Sequence, residues 1–145
     1  MIDHFAEMKI LLFIFKCIWK AKDKIRSSIY SLIFRLLPGV FFDRLGKKCT
    51  FWGWPHFGTI GNKNISIGNG CHIGREVFFS AGPQAKVLIG NGCSLNTGCH
   101  IVSLYGISIG DKTRIGEYVS IRDQNHSFGS IEELNSNNYT GGVLT

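Results

Sequence analysis

Proline is scarce in this chain, 3 residues in 145 against 18 glycines, which excludes a proline-rich spacer and points to many tight turns. Charge is sparse as well. Asp, Glu, Lys and Arg make up 18% of the residues and hydrophobic ones 44%, too little repulsion for a disordered chain and enough apolar material for one domain's core. No apolar run reaches the ~20 residues that a membrane span needs, since the stretch Ile10 to Phe15 breaks at Lys16. That stretch also lacks the small-residue cleavage site of a signal peptide. Acidic residues are few where basic ones are many: residues 1–48 hold ten Lys or Arg and four Asp or Glu, whereas 49–145 hold six of each. The whole basic excess therefore belongs to the N-terminal segment.

What is present is a repeat. An aliphatic or aromatic residue returns every sixth position: Ile67, Ile73, Phe79; then Ile89, Leu95, Ile101; then Ile109, Ile115, Ile121. Two positions before each stands a small or β-branched residue: Ile65, Cys71, Val77, Val87, Cys93, Cys99, Ile107, Thr113, Val119. A period of six is neither a helix nor a single strand. It fits a coil of three short strands with a turn after each. The blocks starting at Ile67, Ile89 and Ile109 are offset by 22 and then 20 residues, so each coil takes three hexads and the excess bulges at one corner. Gly68, Gly74, Gly90, Gly110 and Gly116 follow the aliphatic position, as expected if the chain bends there into conformations where a Cβ is costly.

The chain has five cysteines, an odd number, and three of them share the register of Val77, Val87 and Thr113. They are expected to be small inward side chains, not a disulfide framework, in a reducing compartment. His72 and His100 precede inward residues and are expected to point outward, on different sides of the coil.

Residues 4 to about 37 predict a helix, stopped by Pro38-Gly39. On a 3.6-residue period Lys9, Lys16, Lys20, Lys24, Ser27, Ser31 and Arg35 form a narrow polar stripe, with apolar residues over the remainder. Two arrangements fit: a helix lying on an anionic membrane surface through residues 4–37, or a helix packed on the coil or a neighbouring subunit. Neither is a groove-reading element, so nucleic acid is not an expected partner. The boundary is drawn at 1–48 for the helix and its connection, with the repeat in 49–145 and an exit loop at 122–142. The aromatic stretch 39–64 is expected to cover the first layer, with the coil beginning near Ile60-Gly61. Stacking of Trp52 or Trp54 on a sugar face is the other reading of that stretch.

The hexads of 65–121, the basic N-terminal helix and the Asn125-His126-Ser127 segment after the third coil resemble the left-handed β-helix hexapeptide-repeat acyltransferases. The likeness is greatest to the bacterial enzymes that O-acetylate surface-polysaccharide sugars. That resemblance implies an all-β solenoid, a left-handed parallel β-helix with an N-terminal amphipathic helix. It also implies a homotrimer with active sites between subunits, acetyl-CoA as co-substrate, and a cytoplasmic location, peripheral on the inner membrane if the helix binds there. His126 takes the place of the family's general base, with Asp123 and Asn125 beside it as residues that orient the imidazole or hold the acceptor hydroxyl. Family members continue for several more coils that carry much of the CoA groove. The cofactor-binding residues are therefore expected mostly beyond Thr145, and the chain is expected to be a fragment or a truncated form whose alternative role is that of an inactive structural module. A metal-dependent hydratase of the γ-carbonic-anhydrase type, on the same fold, needs two histidines five residues apart; His72, His100 and His126 offer no such pair, so no metal is expected.

Overall fold

The computed structural model describes residues 4–58, 64–126, 139–143 and 145, the side chains of 4–11, 126, 139 and 140 excepted. Its body is a left-handed parallel β-helix in which three sheets, each four strands deep, form the sides of a prism. One side stacks β1 (Arg44–Leu45), β4 (Ile65–Ile67), β7 (Val87–Ile89) and β10 (Ile107–Ile109). The second stacks β2 (Thr50–Phe51), β5 (His72–Ile73), β8 (Ser94–Leu95) and β11 (Arg114–Ile115). The third stacks β3 (His56–Phe57), β6 (Phe78–Ala81), β9 (His100–Ser103) and β12 (Ser120–Arg122). Every pairing within these sheets is parallel, and the register places Ile67 on Ile89 on Ile109 and Phe79 on Ile101 on Ile121.

From Ile65 to Ile109 both repeat positions of each hexad are buried, and the residue between them points out, giving a buried column of Ile, Val, Leu and Cys along the prism axis. The repeat cysteines are buried and reduced. They do more than fill space: Cys49, Cys71 and Cys93 each point Sγ at the carbonyl of a glycine in the following layer, Gly68, Gly90 and Gly110, at 3.1 Å. Thr113, next in that column, donates its hydroxyl to the Gly110 carbonyl instead, at 2.8 Å. A small side chain with a weak donor suits a position beside a corner carbonyl.

The glycines after the inward residues have a different cause from the one expected. The left-handed backbone lies three residues after the inward side chain, at Gly70, Gly92 and Gly98 and, without glycine, at Lys48, Glu76, Lys112 and Tyr118. Gly68 is needed because coils stack: a Cβ there would stand 2.6 Å from the carbonyl carbon of Gly90. A side ladder reinforces the same corner. Asn69 Oδ1 accepts from the Lys47 amide (2.8 Å), Asn91 Oδ1 from the Asn69 amide (2.9 Å), and Asp111 from the Asn91 amide (2.6 Å).

The coil begins earlier than expected. Leu45, Phe51 and Phe57 form a first hexad series, paired with Ile67, Ile73 and Phe79 in the next layer. The aromatic stretch is therefore itself a coil, starting within the segment assigned above to the connection; Ile60-Gly61 lies outside the described residues. Above it sit α1 (His4–Leu36) and α2 (Pro38–Phe41). Phe34 descends from α1 into a cluster with Phe51 (ring centroids 4.5 Å apart), Trp54 (4.9 Å), Phe41 (5.3 Å) and Phe42 (5.8 Å). The sheet edge is covered too: the outward amide of Phe51 donates to Ser31 Oγ at 3.0 Å, and Asp23 accepts from Arg75 of the second layer at 2.8 Å. Ser27 and Ser31, on the polar stripe of α1, thus lie on the side that docks.

Candidate functional site

Two surfaces collect the chemistry-bearing side chains. The first is the exit from the last layer. After β12 the chain turns at Asp123 into β13 (Gln124–His126), which pairs antiparallel with β14 (Tyr139–Gly141), setting Gln124 against Gly141, Asn125 against Thr140 and His126 against Tyr139. A concavity of about 620 Å³ opens there, lined by Arg122, Asp123, Gln124, Asn125 and Gly141 to Val143. Asn125 is exposed on it. His126 continues the same strand, its side chain lying outside the described residues.

Asp123, at 4% exposure, is bound up with the corner. Its carboxylate accepts from the Ser103 hydroxyl (2.6 Å) and from the amides of Leu104 (2.8 Å), Tyr105 (2.9 Å) and Gly106 (2.7 Å). Burial alone pushes such a group up. The Ser103 hydroxyl and the three amides outweigh that and hold Asp123 below the usual carboxylate range. These bonds close the bulge at 104–106, one of the corner excesses that the 22 and 20 offsets announce. Asp123, which the resemblance puts beside His126 or the acceptor, shapes the backbone that leads to His126.

The second surface lies on the side built from β2, β5, β8 and β11, under α1. A groove of about 470 Å³ runs past Trp52, His72, Arg75, Asn96 and Glu117, and continues as a second space of about 580 Å³ between Trp52, His72 and Lys20, Lys24 and Ser27 of α1. His72 points outward, as its place in the hexad predicts, and shares a 2.6 Å hydrogen bond between Nδ1 and Thr50 Oγ1. Trp52 is 56% exposed. Trp54, by contrast, is held edge-on by Tyr30 and Phe41 and belongs to the cover. One sequence signal distinguishes the two tryptophans: Trp52 follows the inward Phe51, where Gly74 and Gly116 stand in later layers of the same side. His100, on the third side, lies 5.3 Å from the Phe78 ring. Among the described residues no three His, Cys, Asp or Glu side chains converge as a metal site.

Comparison with protein-family models, with curated proteins and with solved structures gives no match for the chain.

Proposed function

We propose that the chain is an acetyl-CoA-dependent O-acetyltransferase of the hexapeptide-repeat type, acting in a homotrimer on a bacterial surface-polysaccharide or lipid-linked sugar. The observation that carries the reading is a histidine, His126, on the strand that leaves a hexapeptide prism directly after its last layer. A sugar hydroxyl is a poor nucleophile near neutral pH. In the proposed step the His126 imidazole takes the hydroxyl proton as the oxygen attacks the thioester carbonyl. The carbon–sulfur bond then breaks, and the CoA thiolate leaves with that proton. An imidazole whose ordinary pKa is ~6.5 suits both transfers and typically contributes ~10²–10⁴ in rate. Asn125, exposed one residue before, is the nearer candidate for holding the acceptor, because the Asp123 carboxylate is engaged by the corner.

The test is CoA release with an acceptor sugar. His126→Ala is expected to lower turnover by roughly 10²-fold or more without shifting the melting temperature. Equal turnover in the Ala variant ends the general-base assignment. That same engagement of Asp123 favours one other reading, a folded module with no catalysis. Calorimetry separates them: the module gives no heat with acetyl-CoA, and the enzyme binds it.

A further inference from the structure

The docking of α1 leaves its most apolar side facing away from the prism. On a 3.6-residue period Ile14, Ile18, Ile25, Ile29, Leu32 and Leu36 fall on one line, half a turn from Asp23, Ser27 and Phe34, which meet the coil. All six are exposed, from 50% at Ile14 to 70% at Leu36. The line extends for about 33 Å at 1.5 Å per residue. A straight apolar stripe of that length is more than the scattered exposure of an ordinary surface. Its borders carry charge of one sign. Lys22 and Arg26 stand on one side and Arg35 on the other, all exposed. The only acid between residues 12 and 36 is Asp23, already bonded to Arg26 (3.0 Å) and Arg75 (2.8 Å). Toward the N-terminal end Phe13, Phe15 and Trp19 are exposed as well.

We infer that α1 lies flat on an anionic lipid surface, its outward aliphatic line sunk to the level of the acyl boundary and its bordering Lys and Arg on the lipid phosphates. The arrangement is that of an in-plane helix, where apolar burial and attraction to anionic lipid act together. No helix among the described residues is long and apolar enough to cross a membrane. A second copy of the chain fits the stripe less well, because pairing two such faces brings like-charged borders together. The prism then hangs beneath the helix, with the Trp52–His72 groove under the lipid-bound side. This inference does not depend on the transferase reading.

Flotation of the full chain tests it, with vesicles of phosphatidylcholine alone or mixed with one third phosphatidylglycerol. The chain is expected to float with the mixed vesicles and far less with the neutral ones, and to be released by raised salt. Ile25→Gln with Ile29→Gln, both on the exposed line, is expected to weaken binding at least tenfold, with the helix content and melting temperature unchanged. Lys22→Gln with Arg35→Gln is expected to weaken it by roughly fivefold per charge. Three results overturn the inference: a wild-type chain that stays unbound with mixed vesicles, a double-Ile variant that floats equally well, or a lipid-free assembly that the double-Ile variant dissolves. The last assigns the stripe to a second copy.

Discussion

The first and the last described layers of the prism are held by different physics. At the N-terminal end the first layer is covered by side chains: Phe34 and Phe42 are fully buried over Phe51, and Phe57 stacks on Phe79 below. At the other end the last layer is more open. Val119 is 39% exposed and Ile121 partly so, and what holds the corners is charge on backbone amides. Asp111 takes the place that Asn69 and Asn91 hold in earlier layers, and Asp123 gathers the 104–106 loop. The Asn91 amide and its side chain hold Asp111 below the usual carboxylate range. One end rests on ring contact that pH does not touch, and the other on two carboxylates that acid discharges.

The sharpest break of this contrast is Phe34→Ala. Removing the central ring of the cover is expected to cost about 4 kcal/mol in chemical denaturation, whereas Ile115→Ala at the open end is expected to cost roughly half that, because its surroundings collapse or hydrate more easily. Equal costs make the ends alike and undo the comparison. Asp123→Ala comes next. It strands the Leu104, Tyr105 and Gly106 amides in a half-buried corner and is expected to cost roughly 2–3 kcal/mol, with faster hydrogen exchange confined to that loop and β13. The smallest effect is on pH. Asp111 and Asp123 titrate lower in the folded chain than in the unfolded one, so the stability they add is present above about pH 4 and is lost as pH falls through their folded values. Asp123→Asn is expected to flatten part of that acid limb, whereas Phe34→Ala is expected to lower stability by a similar amount across the pH range and keep the limb.

Much of this was readable in the hexads. Ile65 to Ile121 specify three layers, the inward cysteines, the outward His72 and His100, and the corner that takes the excess residues, because each depends on a fixed spacing of six. The first layer was harder to see, because Leu45, Phe51 and Phe57 keep the spacing but two of the three are rings, and Trp52 stands where glycine recurs. Glycine itself misled. Its place after the inward residue reflects the closeness of the next layer, a contact between residues 22 apart that local preference does not reveal. The docking side of α1 was hidden for a related reason: Ser27 and Ser31 read only as part of a polar stripe until the Phe51 amide supplies a partner for Ser31. His126 was legible as the histidine that follows the third coil, whereas the corner that Asp123 holds was not, because its donors come from the layer before.

The column of thiols has one more consequence. Cys49, Cys71, Cys93 and Cys99 are buried; burial pushes the Cys93 and Cys99 thiols up, away from the reactive anion, while the hydrogen bond with the Cys71 thiol brings Cys49 down to about 7, so that enclosure at 4% exposure is what keeps a reagent from it. Cys17 alone is exposed, on the flank of the outward side of α1. A maleimide dye added to the native chain therefore has a single point of attachment, and the chain carries on that helix its own reporter of whatever α1 meets.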